Sequence, residues 1–432
     1  MKKLLFFWKE LMATFWFLPV MIIMLSIFLA VGLVYLDNYV DIPQEGWTRF
    51  FLVNSSDSAR SILSTISGAM IGVAGTVFSV TLVALTLASS QFGPRLIKKF
   101  MYVRLNQVVL GSYISTYLYC LLVLNAIKDN DTTNFIPSIS ILFAILAAIL
   151  NIILLIIFIH QIAISIQADK VVADISEFIS KQIQTLFPDK MGKEKEENVN
   201  ATKITSVYSK VIPLKSLKSG YLQYIDGESL MEIMANKSAV IELYFRPGGH
   251  LVEGVEIATL YANSDWKEGE IKEIFDQFVI GNTKTSYQDL EFSIHQMVEI
   301  AARALSPGVN DPFTAIACID NLTATMCYLA QAKFPSKYRF DKDNSLRVIA
   351  DILDFEGVLD AAFNQIRQFS EGSTAVIIRL MEALITIHGQ TNLEIHKIAV
   401  LKHAKMVLNL GKRTLQEEND LHDLIDRSKK IL

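Results

Sequence analysis

The densest polar information in the chain lies in SYQDLEFSIHQMVEIAARALSPGVNDPFTAIACIDNL. Glu291, His295, Glu299 and Arg303 recur every four residues, which sets them along one flank of a helix. A histidine and a carboxylate one turn apart can share a metal ion. The plainer chemistry is a solvated ladder, with Glu299 and Arg303 as an i,i+4 pair beside an apolar arc of Ile294, Met297, Val298, Ala301 and Leu305. The ladder is the favoured reading, and no metal is expected. Pro307-Gly308 then stops the helix, Asp311 can N-cap the next, and Pro312 suits its first position. That helix start leaves backbone N–H groups available to an anion or another subunit. Capping accounts for Asp311 and less well for Ser306 and Asn310. Gln288, Asp289, Arg303, Ser306, Asn310 and Asp311 are therefore the candidate contacts to a ligand or a second subunit.

Catalysis finds little support elsewhere. Asp226, Asp289, Glu291 and Asp311 are available acids, but no nucleophile–base or metal spacing accompanies them. There is no P-loop, dinucleotide fingerprint or HExxH, so neither an enzyme nor a cofactor is expected. A net charge of -4 offers no basic footprint for nucleic acid. Cys120, Cys318 and Cys327 lack CxxC or zinc spacing, which points to a reducing compartment.

The elements that must position these residues begin in a membrane. Hydrophobic residues make up 51% of the chain, charged ones only 19%, and mean hydropathy is +0.35, above a typical soluble protein. Residues 11–36, 61–94, 105–127 and 132–159 contain no Asp, Glu, Lys or Arg. A bilayer core needs about 20 apolar residues in a helix. Four spans follow, at about 14–36, 63–88, 106–127 and 136–160, and nothing after residue 170 qualifies. The first run is too long for a signal peptide and lacks a cleavage site before Asp37, so it is expected to be retained. Basic residues flank the N-terminus and the segment around residue 100, while the other short loops are mostly acidic. The positive-inside rule then places both termini in the cytosol.

The second span is unusual. Ser64, Gly68, Gly72, Gly75, Thr76 and Ser79 line one side of it, and lipid tails gain nothing from such a face. Small residues permit close helix approach, and Gly68-x-x-x-Gly72 is the familiar pattern. Span three offers Gly111, Ser112, Ser115, Thr116 and Tyr119, and span four carries Asn151 near its middle. Spans two and three are expected inside the bundle, with one and four toward lipid. Gly68, Gly72, Gly75, Thr76, Ser79, Ser115, Thr116 and Asn151 serve either helix packing or a water-filled path in an oligomer. No buried charge suggests a proton relay or voltage sensor. Arg95, Lys98 and Lys99 gather at the expected cytosolic mouth, where they meet anionic headgroups or ring a pore.

The rest is expected to be a cytosolic α+β domain. Residues 169–204 form a helix and charged linker, with Val171, Val172, Ile175, Phe178, Ile179, Ile183 and Leu186 on one face. Residues 205–265 form a small β-rich subdomain, in which Ile241, Leu243 and Phe245 point inward and Pro247-Gly248 makes a type II turn. Residues 266–432 are expected to be helical throughout and to end in a bundle.

Five segments together resemble a bacterial family of predicted membrane proteins, domain of unknown function 2254. They are GTVFSVTLVALTLASSQFGPRL, VLGSYISTYLYCLLVL, RPGGHLVEG, QDLEF and EIAARALSPGVNDPFTA. The resemblance covers nearly the whole chain and implies a polytopic inner-membrane protein with a cytosolic C-terminal domain, without supplying an activity. Lys284 replaces a frequent Arg of that pattern. His295 stands where a basic residue is common, which weakens the metal idea further.

The expected architecture is thus a four-helix membrane domain, residues 1–168, followed by the cytosolic region. The expected function is a homo-oligomeric inner-membrane channel or pore-like protein, with a small, hydroxyl-lined path from spans two and three, regulated or assembled by the tail; a small ion or a cytosolic ligand is the expected small partner. The alternative is a non-conducting sensor or scaffold whose tail binds a cytosolic ligand or partner protein.

Overall fold

In hydrocarbon no water relieves the backbone, so an uncharged run must close its hydrogen bonds within itself, as a helix. The long apolar stretches do so. The computed structural model describes residues 11–12, 14–40, 55–93, 103–130, 133–165, 167–182, 188, 191–193, 199–332 and 334–432, with the backbone alone at 129, 130, 133, 134 and 182. They divide into two units, Met1–Gln167 and Ala168–Leu432.

The first unit holds α1 (Phe17–Asp37), α2 (Ser56–Phe92), α3 (Arg104–Ala126) and α4 (Ser138–Ser165). The antiparallel pair β1 (Lys128–Asn130) and β2 (Thr133–Phe135) joins the last two. Helix α2 runs 37 residues, from Ser56 to Phe92, and exceeds the expected span 63–88 at both ends. Ser55 accepts the Ser58 N–H and starts it, and the following polar residues remain compatible with a helix once nucleated. Helix α3 is the hub, packing against α1, α2 and α4. Ala30, Ala59 and Ala144 allow the helices to close around Leu63, Tyr119, Cys120 and Ile141.

A carboxylate from one helix seals the start of another. Asp37, the last residue of α1, accepts the N–H groups of Ile139 (2.8 Å) and Ser140 (3.0 Å) and the Ser140 hydroxyl (2.6 Å). Its negative charge also opposes the positive end of the α4 dipole. Tyr119 completes the latch by donating its hydroxyl to the Ser140 carbonyl at 3.0 Å. Asp37→Ala should therefore cost about 2–3 kcal/mol, because it orphans several donors at once. Thermal unfolding of the detergent-solubilised chain checks this; an unchanged midpoint would show that the latch contributes nothing.

The second unit opens with α5 (Ala168–Gln182), whose Val171, Val172, Ile175 and Ile179 are buried. Phe178, expected on that face, is 41% exposed; it lies too far round the helix. Ile183 and Leu186, expected on the same face, lie outside the described residues. The short α6 (Ala201–Thr205) precedes β3 (Lys210–Lys215) and β4 (Gly220–Ile225). Then come α7 (Gly227–Asn236), β5 (Val240–Leu243), β6 (His250–Leu251), β7 (Glu256–Ala262), α8 (Glu268–Phe275) and β8 (Phe278–Gly281). Helices α9 (Leu290–Ala304) and α10 (Pro312–Gln331) are followed by β9 (Tyr338–Phe340) and β10 (Leu346–Ile349). The chain finishes with α11 (Phe355–Phe369), α12 (Thr374–Gln390), α13 (Glu394–Thr414) and α14 (Glu418–Ser428).

Two sheets form, ordered β3-β7-β5-β10-β9 and β6-β4-β8. Their shared core includes Leu214, Leu222, Ile225, Met234, Ile241, Leu260 and Val348. The expected boundary at 265 is corrected: β8, β9 and β10 lie beyond it, in a stretch expected to be all helix. These strands have only three or four residues and no long alternation, so their pattern is lost between stronger helical periods. Parallel pairing of Val348 with Ile241 joins segments over 100 positions apart, which no local signal announces.

Length and composition qualify five helices among the described residues to cross a membrane: α1 to α4 and α10, the least apolar of the five. The expectation that nothing beyond residue 170 qualifies is thereby corrected.

Candidate functional site

Two constellations stand out, one in each unit. In the first, Asn151 of α4 is fully buried, and its side chain is satisfied by α3. Ser112 donates to its Oδ1 at 2.7 Å, and its Nδ2 donates to the Thr116 hydroxyl at 2.8 Å. That same nitrogen lies 3.6 Å from the Met70 sulfur of α2. Tyr113 donates to the Asn151 carbonyl at 2.7 Å. Three helices thus meet on one amide, as a buried polar group in a membrane requires. Ser115 is buried too, and its carbonyl accepts from Ser26 of α1 at 2.9 Å.

Gly111 marks a close approach of two helix backbones. A Cβ there would lie 2.9 Å from the Pro19 Cα of α1. The small face of α3 therefore serves packing within the first unit, against α1 and α4, and does not face the small stripe of α2.

That stripe points the other way. Ser64, Gly68, Gly72, Gly75, Thr76 and Ser79 are all exposed, while Leu63, Ser67, Met70, Ala74 and Val77 form the buried face of the same helix. A Cβ added at Gly68, Gly72 or Gly75 would meet nothing within 4 Å. The hydroxyls spend their protons on their own helix: Thr76 on the Gly72 carbonyl (3.3 Å), Ser79 on Gly75 (2.9 Å), Thr65 on Ser61 (2.7 Å). Their oxygen lone pairs remain facing outward. Helix α2 is therefore only half inside its bundle, contrary to its expected interior place. Arg95, Lys98 and Lys99 lie outside the described residues.

In the second unit the RPGG and QDLEF segments come together. Gly248 has φ +98°, and Gly249 N–H closes on the Arg246 carbonyl at 3.0 Å, the geometry of the expected type II turn. A Cβ at Gly248 would collide with Oδ2 of Asp289. Asp289 N-caps α9 through the Phe292 N–H at 2.9 Å, leaving its Oδ2 buried and unpartnered. Burial pushes its carboxyl up to about 6, against the opposing pull of the Phe292 N–H and the Lys284 ammonium. Gln288 clamps the edge of β4, accepting from Ile225 N–H at 2.9 Å and donating to its carbonyl at 3.2 Å. Arg246 bridges Glu291 (2.9 Å) and Asp351 (3.1 Å). Glu291 thus serves a guanidinium, with His295 3.9 Å away.

The remaining candidates are used locally. Arg303 sits 3.7 Å from Glu299, as the i,i+4 spacing expects. Asp311 caps α10 by accepting the Thr314 N–H at 3.1 Å. Ser306 donates to the Arg303 carbonyl at 2.6 Å, closing the end of α9. Asn310 takes φ +50°, a left-handed conformation that asparagine tolerates better than most residues. These bonds supply the account that capping alone did not. Among the described residues no three His, Cys, Asp or Glu side chains gather as a metal cluster. Arg246 and Asp351 were not singled out from the sequence: Arg246 reads as part of a turn, and Asp351 lies 105 positions away.

The chain is similar to proteins of mycobacteria. It is 28% identical over 371 residues to uncharacterized protein Mb1321c of Mycobacterium bovis, covering 84% of this chain and 70% of that one. Uncharacterized protein Rv1290c of Mycobacterium tuberculosis gives the same identity and the same coverage. No solved structure matches. The sequence profile of one family matches residues 12–386, and the chain belongs to that family, the predicted membrane proteins DUF2254.

Proposed function

We propose that the chain is a homo-oligomeric channel of the bacterial inner membrane, in which α2 from each subunit turns its small face toward a common axis. Four helices, α1 to α4, cross the bilayer, with both termini in the cytosol. Helix α10 stays in the tail: it packs against α9, α12 and α5, and its Asp320 is held in a two-point ion pair by Arg379 of α12. Desolvating that pair in lipid would be expensive, whereas a soluble bundle accommodates it.

The observation that carries the reading is the exposed stripe from Ser64 to Ser79, with its open space beside Gly68, Gly72 and Gly75. Leucines would cover lipid better there, and the subunit's own packing does not use the glycines. Outward lone pairs without fixed charge suit water and small cations. The tail, by this reading, assembles or regulates the pore. A ligand site at Gln288–Asp311 has less support, because those side chains spend their bonds within the unit.

Liposome flux measurements with the purified chain test the proposal, together with crosslinking of a Ser64→Cys variant. The expected result is cation flux, and, under oxidation, disulfides between copies of the Ser64→Cys variant through the introduced thiols. Gly72→Leu should abolish both while leaving the monomer folded. Silent liposomes with uncrosslinked monomers would end the proposal.

A further inference from the structure

Helices α11 and α13 pack together, and their C-terminal ends frame a pocket of about 450 Å³ lined by Arg367, Met406, Asn409, Lys412 and Arg413. Three of these five side chains are cations, and none is an acid. Among the described residues, Arg367, Lys412 and Arg413 form no ion pair, although most of their neighbours on these helices do: Lys402 holds Glu356, for example, at 2.7 Å. Arg367 also buries its Nε without any acceptor. Burial and the facing Arg413 guanidinium both disfavour its charge, and only Asp360 opposes them. Asp360 is itself engaged, by His403 at 3.0 Å and by Asn364 at 2.8 Å.

Basic residues at a helix C-terminus have an ordinary explanation, the attraction of the dipole's negative end. It explains the sign of the charges. It does not explain an orphaned, buried guanidinium N–H, nor two arginines from different helices set against each other. Buried donors of this kind find partners in folded proteins. Arginine's planar fork matches phosphate oxygens better than a single carboxylate would, and three positive charges call for a multiply charged anion. The pocket is larger than one phosphate group and falls in the size range of small-ligand sites.

We propose that this pocket binds a phosphate-bearing ligand, its phosphoryl group held between Arg367 and Arg413 with Lys412 beside them. The phosphate can come from a soluble organic phosphate or from a lipid headgroup.

The test uses the full chain in an uncharged detergent, with inorganic pyrophosphate as the probe and chloride at matched ionic strength as the control. Millimolar pyrophosphate should raise the unfolding midpoint of the wild type beyond the chloride control, as binding to the folded state requires. Arg367→Gln and Arg413→Gln should each weaken apparent affinity by roughly tenfold or more. Lys429→Gln, which alters an exposed pair with Asp426 elsewhere, should bind as wild type. If the half-buried Arg367 variant does not fold, the exposed Arg413 variant carries the comparison. Competition with soluble dihexanoyl phosphatidic acid separates the sources: displacement below the pyrophosphate concentration assigns a lipid headgroup, and weaker displacement a soluble phosphate. A midpoint no higher than in chloride, or unchanged affinity in Arg413→Gln, overturns the proposal.

Discussion

Valine at Gly111 should dismantle the membrane bundle, while leucine at Gly72, a larger intrusion on a similar glycine, should leave it standing. The difference lies in what each residue faces. At Gly111 a Cβ already falls 2.9 Å from the Pro19 Cα and 3.1 Å from the Ile22 side chain. Backbone cannot rotate away as a side chain can, so α1 and α3 must separate. Overpacking of this kind costs about 3 kcal/mol or more, and it strikes the hub helix. At Gly72 nothing lies within 4 Å. Buried Cys120 offers a direct readout, since a maleimide reaches it only when the bundle opens. Peptide mass should show Cys120 labelled in Gly111→Val and protected in Gly72→Leu. Equal protection in both variants would mean that α1 and α3 do not meet at Gly111.

The second large effect concerns pH. Asp289 has its carboxyl raised from 3.8 to about 6 by burial. The folded chain therefore holds this proton more tightly than the unfolded one. Stability from this group is fully present below about pH 4 and falls as pH climbs toward 6, by roughly 3 kcal/mol at most. Asp289→Asn keeps the capping oxygen and cannot ionise. It should be more stable than wild type at pH 7.5, and the advantage should vanish near pH 4. Thermal midpoints of both proteins across that range measure it. A difference that does not change with pH would show that Asp289 is solvated, and that Gly248 does not press on its carboxylate.

How much of this was readable depends on distance along the chain. The membrane class, the Gly68–Ser79 stripe, the turn at Pro247-Gly248 and the cap at Asp311 are all written within a few residues. The periodicity or local hydrogen bond that creates each one involves near neighbours. Local pattern does not say which way the α2 stripe turns, because spans two and three carry similar small residues. Which face meets which is decided by fit, and Gly111 suits Pro19 of α1 while Ser112 and Thr116 suit Asn151 of α4. The sheets were only half legible, since β8, β9 and β10 are short and their partners are remote.

By itself, then, the amino-acid order determined that this chain enters a bilayer, roughly where its apolar helices lie, and which of their faces are small. The tertiary structure alone decided that α3 is the hub, that Arg246 joins Glu291 to Asp351, and that Arg367 and Arg413 confront one another without an acid between them. The reason is physical: helix and turn preferences act over one turn of chain, whereas such pairings depend on surfaces that exist only after the helices have packed.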